Sequence, residues 1–276
     1  MTGQPEPEPE PEPAPPGGAR PGEAVPAETI PVGQPDGEVL LEAVNLTAGY
    51  GDLAAVRDAN LRLYRGEIVA VVGPNGAGKT TTMNALVGEL PAMNGEVRWL
   101  GRPVSTPLHR RVREGLGYVP EVRSIIMSMS CRDNLRLGRG DIGHALELFP
   151  ELEPLLPRRA GLLSGGEQQM LILGRALAAR PTALIVDELS LGLAPVVVGR
   201  LMEALRVAAK QSDCGVLLVE QQARRAFAIA DRWYLFRNGR NVASGDTKTG
   251  HQAMERAYLA GAGWEGPRNG GTGVVA

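Results

Sequence analysis

The strongest constraint on the fold of this 276-residue chain is a glycine-rich run that directly follows five apolar residues, Ile68–Val72. The run fits the pattern G-x-x-x-x-G-K-[ST], a loop between a buried strand and a helix whose backbone N–H groups face phosphate oxygens. Its residues are Gly73, Pro74, Asn75, Gly76, Ala77, Gly78, Lys79, Thr80 and Thr81. We predict that Lys79 binds the β- and γ-phosphates of a nucleotide and that the Thr80 hydroxyl binds Mg²⁺. The run therefore indicates a nucleotide-binding domain.

The rest of the chain favours an α/β fold, because short apolar segments alternate with helical patterns from Glu38 onward. Such alternation is typical of parallel strands that are joined by crossover helices. A helix is predicted over Lys79–Glu89, and residues 120–180 are polar, rich in helical patterns and interrupted by prolines. We predict a helical insertion at about residues 120–180 and a hairpin over Asn238 and Gly239 near the end of the domain.

The two ends of the chain differ in composition from its middle. Residues 1–36 hold 11 of the 22 prolines, and their net charge is −6, against −2 for the whole chain. A Pro/Glu repeat offers no apolar face to bury and favours an extended backbone. We therefore predict a disordered extension over residues 1–36, an ordered domain over 37–262 and a flexible tail over 263–276.

Two further motifs follow the loop and suit phosphate chemistry. The first precedes a helical pattern and consists of Leu163, Ser164, Gly165, Gly166 and Glu167. Its serine can cap the helix, and its glycines expose the first N–H groups. The second is an apolar strand that ends in Asp187 and Glu188, at the carboxyl edge of the sheet beside the loop. We predict that Asp187 holds Mg²⁺ through water and that Glu188 aligns and polarises the attacking water. Taken singly, the first motif also fits an ordinary capped helix and the second a solvated turn.

Taken together, the loop, the LSGGE segment 85 residues later and the acidic strand end resemble the ATP-binding-cassette (ABC) ATPases. The resemblance covers residues 38 to about 261. It implies a phosphate-loop core with an antiparallel β subdomain and a helical subdomain, and hydrolysis of ATP with Mg²⁺. It also implies a head-to-tail pair of ATPase subunits, in which each ATP lies between the loop of one subunit and the LSGGE segment of the other. By the same resemblance, Tyr50 stacks on adenine and Ser190–Ala194 crosses the dimer interface.

Departures from the general ABC pattern narrow the resemblance. Glu121 stands where a glutamine usually links the active site to the permease, and Gln221 replaces the switch histidine. Together with the segment Ser190–Pro195, these two residues make the chain similar to the second ATPase subunit of bacterial branched-chain amino acid importers. This implies as partners a second ATPase, two membrane permeases and, indirectly, an extracytoplasmic solute-binding protein, at the cytoplasmic face of the plasma membrane. Glu188, Gln221 and Lys79 are then the predicted catalytic residues. Glu121 belongs to the predicted ATP-binding residues, and Gln221 can still donate a hydrogen bond to the γ-phosphate.

Two substitutions are unusual within that subfamily. Leu189 follows the catalytic glutamate where proline is usual, and Val122 follows Glu121 where glycine is usual. Because position 189 lacks a proline ring that would fix φ, we expect the turn that positions Glu188 to be looser. We expect Val122 to stiffen the loop that contains Glu121. Because of these substitutions, a nucleotide-sensing subunit with weak ATP hydrolysis is an alternative hypothesis. Importers of urea, amides or another solute are a further alternative.

Other functional classes find little support in the sequence. Residues 37–276 carry a net charge of +4, which is too weak to indicate a nucleic-acid surface. Cys131 and Cys214 lie far apart, and the three histidines form no cluster with them. No stretch approaches the roughly 18 consecutive apolar residues of a membrane-spanning helix. We therefore expect no nucleic-acid partner, no Cys/His metal site and no membrane span.

Overall fold

The computed structural model describes residues 28–29 and 37–247 of the chain. The predicted tail, the end of the predicted domain and all but two residues of the predicted extension lie outside the described residues. Glu28–Thr29 form a short strand, paired in parallel with Ala243 and Ser244 at the edge of a sheet. An exposed sheet edge offers backbone hydrogen-bond partners to such a segment.

The described strands form two sheets. Their bounds are β1 (Glu28–Thr29), β2 (Val39–Tyr50), β3 (Leu53–Tyr64), β4 (Ile68–Val72), β5 (Asn94–Trp99), β6 (Arg102–Pro103), β7 (Leu116–Val119), β8 (Ala183–Asp187), β9 (Gly215–Glu220), β10 (Arg232–Arg237) and β11 (Arg240–Asp246). The main sheet has seven strands in the order β1-β11-β10-β4-β9-β8-β7, and the second sheet has four in the order β3-β2-β5-β6. The main sheet is parallel except between β10 and β11, and the second sheet is antiparallel.

Helices cover the main sheet and form a separate layer between β7 and β8. Their bounds are α1 (Lys79–Val87), α2 (Leu108–Arg113), α3 (Cys131–Arg136), α4 (Ile142–Leu148), α5 (Gly165–Ala178), α6 (Pro195–Gln211) and α7 (Ala223–Phe227), with 3₁₀ turns at Pro150–Leu155 and Ala160–Leu162. Within residues 131–178, α3 and α4 pack on α5. This arrangement of sheets and helices confirms the predicted fold class. Among the helices of the described residues, none is both long and apolar enough to cross a membrane.

The central strands explain the continuous apolar segments of the sequence, since β4, β8 and β9 are buried along their whole length. Strands that are covered on both faces read as unbroken apolar runs. In β4, Ile68, Ala70 and Val72 belong to one apolar cluster, and Val69 and Val71 belong to the other. The strand therefore lies between two cores, and its carboxyl end is fixed from both sides.

Two hairpins test the predicted turns. The hairpin between β10 and β11 is confirmed, with Asn238 and Gly239 at φ +49° and +75°. Strands β2 and β3 form a second, longer hairpin with 12 residues in each strand, which turns at Gly51. Register shifts interrupt the pairing of these strands, so their apolar residues do not alternate regularly. Helix α2, which is six residues long, is missing from the prediction altogether.

The topology brings the chemical motifs to one edge of the main sheet. Strand β4 pairs in parallel with β9, and β9 pairs in parallel with β8. The carboxyl ends of three neighbouring strands therefore meet, and polar groups collect at this edge. The phosphate loop after β4, the acidic pair at the end of β8 and Gln221 after β9 therefore lie side by side.

Candidate active site

The phosphate loop is shaped to receive an anion. Gly78, the N-cap residue of α1, has φ +96°, and no side chain caps the helix. The first N–H groups of α1 are therefore available to phosphate oxygens, and the positive end of the helix favours them. At the other end of the loop, a Cβ on Gly73 (φ +154°) would lie 2.3 Å from the carbonyl oxygen of Phe236. Glycine is required there by the close approach of two backbones.

The Lys79 ammonium points back into the loop. It is 5% exposed and donates hydrogen bonds to the carbonyl oxygens of Gly73, at 2.9 Å, and Pro74, at 3.1 Å. Burial lowers its pKa, and the opposing effect comes from three carboxylates, Glu188, Asp187 and Glu121. Since Lys79 lies among carboxylates with two carbonyl partners, it is held as a cation at the point where a phosphate would enter.

Asp187, at the end of β8, is fully buried, and neither of its carboxylate oxygens has a hydrogen-bond partner among the described residues. Burial raises its pKa from 3.8 to about 6, with further raising by Glu188 and Glu121. The nearby Thr80 hydroxyl opposes this rise, although it stays outside hydrogen-bond geometry with either oxygen. Buried carboxylate oxygens without partners, next to a hydroxyl, form the oxygen environment that Mg²⁺ prefers. The residues present therefore fit the predicted ion.

Glu188 is held by the end of β9. Its backbone N–H donates to the carbonyl oxygen of Val219 at 3.0 Å. The Gln221 amide nitrogen donates to both of its carboxylate oxygens, at 2.7 Å each. Glu188 also has φ +50°, a left-handed backbone that is uncommon for a residue with a side chain. In the structure, the Gln221 amide therefore binds the carboxylate of the predicted base.

A pocket of about 400 Å³ collects most of the predicted ATP-binding residues. Its lining includes residues 75–81 of the loop, Glu121, Glu188 and Gln221. Asp187 is buried next to this pocket. The carbonyl groups of Gly73 and Pro74 accept hydrogen bonds from Lys79, which lines the pocket. The structure thus brings together the loop, the acidic pair and Gln221.

Two predicted elements lie outside that lining. Tyr50 is 56% exposed at the end of β2 and does not line the pocket. The LSGGE segment begins α5, where the Ser164 hydroxyl and the Glu167 carboxylate cap the helix reciprocally. Leu163 is buried, Ser164 is exposed, and Gly165 and Gly166 are partly exposed. The LSGGE backbone is therefore on the surface, away from the pocket of its own chain.

Sequence reasoning missed a polar connection between the Glu121 loop and α5. The Arg123 guanidinium donates to the Gln168 side-chain oxygen at 2.6 Å, and Arg175 donates to the Ser124 hydroxyl at 2.9 Å. Two adjacent loop residues are thus bound to one face of α5, two turns apart. The only sequence signal is the 3.6-residue period that places Gln168 and Arg175 on that face.

The ABC transporter family model matches residues 56–190 of the chain. The high-affinity branched-chain amino acid transport ATP-binding protein BraG of Pseudomonas aeruginosa is 37% identical over 234 residues, which are 80% of this chain and all of BraG. The chain belongs to the ABC transporter family. It is an ATPase of this family, and the predicted resemblance to branched-chain amino acid transport ATPases is confirmed. The lipopolysaccharide export ATP-binding protein LptB of Escherichia coli is also 37% identical, over 220 residues, 74% of this chain and 90% of LptB.

A solved structure of an ATP-binding subunit of an ABC transporter agrees with the fold of this ABC ATPase. It superposes with a TM-score of 0.69 at 27% identity, over 81% of this chain and 95% of the other. The ABC ATPase chain described here therefore has the fold of its family as well as the family's motifs, and its pocket is the place to seek ATP.

Proposed function

We propose that this ABC ATPase is the energy-coupling subunit of an importer for branched-chain amino acids, and that it works in a head-to-tail ATPase dimer. One observation carries the proposal: the loop, Asp187 and Glu188 converge on one pocket, whereas the LSGGE helix start is exposed elsewhere. An exposed helix N-terminus with uncovered glycine N–H groups suits a phosphate that another subunit presents. The second subunit would complete the site with its own Ser164 equivalent, and Ser190–Ala194 would lie at the interface.

In the proposed reaction, each side chain acts at a stated point. Lys79 exchanges its carbonyl partners for β- and γ-phosphate oxygens and offsets their charge. Glu188 accepts a proton from the attacking water and orients it toward phosphorus. Gln221 holds the Glu188 carboxylate with its amide, so that the base is fixed before water arrives. Glu121, which lines the pocket, belongs to the proposed ATP-binding residues, and the exposed Tyr50 stacks on adenine.

Thr80 and Asp187 would hold Mg²⁺, the former directly and the latter through water. When bound, the ion supplies charge stabilisation for the phosphoryl group that is transferred. The buried carboxylate of Asp187 supports this assignment, because Lys79 and the Thr80 hydroxyl offset only part of the cost of its burial.

A groove of about 840 Å³ supports the proposed contact with membrane permeases. It lies between α2 and α5, and its lining includes Val112 and Leu137, which are about half exposed, and Arg175. We propose that a permease segment occupies it, one on each of two ATPase subunits, at the cytoplasmic face of the bacterial plasma membrane. The solute would reach the permeases from an extracytoplasmic binding protein.

The branched-chain amino acid assignment is supported by BraG, together with Glu121 and Gln221. One observation favours a second candidate: LptB, an ATP-binding protein of lipopolysaccharide export, has the same 37% identity over a similar length. Export of a lipid-linked solute is therefore the competing function, and the same ATP site would drive it.

The enzymatic part is tested with Glu188→Gln, which keeps the shape of the side chain but removes the base. We expect steady-state phosphate release by the full-length chain with Mg-ATP to fall at least about 100-fold, within the range expected for loss of a general base. Glu203→Gln, at an exposed position of α6, is the matched control. If Glu188→Gln keeps more than a tenth of wild-type turnover, Glu188 is not the base.

The transport part is tested in a strain that lacks the gene, with uptake of labelled leucine as the measurement. The wild-type gene should restore uptake, and Glu188→Gln should not. Normal leucine uptake in the deletion strain, with a defect in lipopolysaccharide at the cell surface, would support the export function instead.

A further inference from the structure

One buried charge near the site has no role in the proposed reaction. Glu220 ends β9 and is 2% exposed. Its carboxylate oxygens accept two hydrogen bonds from one residue, from the Ser190 N–H at 3.1 Å and the Ser190 hydroxyl at 2.8 Å. A buried carboxylate is costly unless its acceptors are satisfied, and here a single serine supplies a donor to each oxygen.

Ser190 belongs to the same turn as Glu188, two residues further on. The turn is therefore attached to three consecutive residues at the end of β9: Val219, Glu220 and Gln221. Val219 holds the backbone of Glu188, Gln221 holds its carboxylate, and Glu220 holds the far end of the turn. These contacts can form because β8 and β9 are neighbouring parallel strands.

The backbone of Glu188 shows why such attachment is needed. Its φ of +50° is strained for a residue with a Cβ, and strained residues at functional sites persist only where surrounding contacts fix them. A proline at 189 would help by locking one dihedral angle, but this chain has leucine. Leu189 is 1% exposed and packs in the core, which anchors its side chain and leaves its φ unlocked. The hydrogen bonds to Ser190 supply the missing restraint on the backbone.

We propose that Glu220 is a positioning residue for ATP hydrolysis, which fixes Ser190 and thereby the turn that aims Glu188. The Arg225 guanidinium supports the same turn more weakly, since it donates to the Ser190 carbonyl oxygen at 3.4 Å. Glu220 neither lines the ATP pocket nor takes part in proton transfer. Its effect should therefore appear in the rate of hydrolysis and not in the affinity for ATP.

This inference rests on the proposed role of Glu188, and the experiment separates the two. The full-length variants Glu220→Ala, Glu220→Gln, Ser190→Ala and the double alanine variant are compared with wild type in kcat, KM for ATP and ATP-induced thermal stabilisation. Glu188→Gln is measured beside them, and Glu153→Ala, at an exposed position, is the control.

Glu220→Ala should lower kcat about 10- to 100-fold, the effect of a misplaced catalytic group, with KM changed less than about threefold. Ser190→Ala should lower kcat by a smaller factor. The double variant should be no slower than Glu220→Ala, because the two residues act as one unit. Glu220→Gln should stay within about threefold of wild type, since its amide can accept from the Ser190 N–H and donate to the hydroxyl.

Four results would overturn the inference. These are a folded Glu220→Ala with kcat within twofold of wild type, a loss confined to KM, an equal loss in Glu220→Gln, and an additive double variant. If Glu220→Ala does not unfold cooperatively, Ser190→Ala decides, and wild-type kcat in that variant refutes positioning. If Glu188→Gln retains turnover, the role of Glu188 itself is refuted. If Glu188→Gln loses turnover while the Glu220 variants keep it, only the positioning role of Glu220 is refuted.

Discussion

Replacing Asp187 with asparagine should stabilise the protein in the absence of nucleotide while it removes Mg-ATP hydrolysis. The carboxylate is fully buried and lacks a hydrogen-bond partner among the described residues, so its ionised form is disfavoured in the fold. Asparagine has nearly the same shape and no charge. A difference in stability between the variant and wild type therefore reports the cost of burying the Asp187 charge and not a change in packing.

The magnitude follows from the pKa of Asp187, which rises from 3.8 to about 6 on folding, chiefly because of burial. A shift of about two units corresponds to roughly 3 kcal/mol of stability. The folded state binds the proton more tightly, so the cost of ionisation is complete above about pH 6. It shrinks as the pH falls toward 4, where the unfolded chain is protonated too. We expect Asp187→Asn to gain about 3 kcal/mol at pH 8 and about half of that at pH 5.

Urea unfolding without Mg²⁺ or nucleotide, at pH 8 and pH 5, measures both gains. Asp52→Asn, an exposed position in the turn between β2 and β3, is the matched control and should change little. With Mg-ATP, wild type should be stabilised more than the variant, because the ligand binds the native site. A variant that is no more stable than wild type at pH 8, or whose gain is equal at both pH values, would refute the reasoning.

Two further predictions concern the base and the loop. Gln221→Ala removes the two hydrogen bonds of 2.7 Å to the Glu188 carboxylate and should lower kcat about 10- to 100-fold, as bonds to a charged group of roughly 1.5–3 kcal/mol imply. Stopped-flow phosphate release measures it, and unchanged kcat, or an equal fall in the adjacent Gln222→Ala, contradicts it. Gly78→Ala places a Cβ 2.7 Å from a β3 side-chain carbon in a left-handed backbone (φ +96°) and should weaken ATP binding at least about tenfold. Titration with a fluorescent ATP analogue measures this, with Gly101→Ala, also left-handed (φ +73°) but with open space, as control. Equal affinities of the two alanine variants would contradict it.

The sequence was sufficient for the convergence of Lys79, Asp187 and Glu188. Each follows a fully apolar segment, and parallel strands have their carboxyl ends at one edge of the sheet. The glycines of the loop were equally readable, because the close approach at Gly73 excludes a side chain. For this part of the site, the sequence motifs, the apolar strands and the parallel topology therefore all predict the same position of these three residues.

The contacts that orient Glu188 could not be predicted in the same way. They depend on β8 and β9 being direct neighbours and on the register that sets Val219 against Asp187. That register is a tertiary property, and the segment around Glu220 shows no local pattern that reveals its partner. The role of Gln221 was inferred from its position in the family and stays a prediction, and its hydrogen bonds to the Glu188 carboxylate could not be read from the sequence. The effects of Leu189 and Val122 on turnover stay predictions.

The charges around the pocket favour the binding of ATP together with a cation. Three carboxylates, Asp187, Glu188 and Glu121, act on one ammonium, that of Lys79. The N-terminus of α1 contributes only about half a positive charge. An anionic triphosphate would therefore enter a site that is already negative, and affinity without a divalent ion should be low. A Mg²⁺ ion held by Thr80 and Asp187 would offset the carboxylate and the phosphates together. We therefore predict that the buried charge which destabilises the protein alone makes ATP binding depend on the metal.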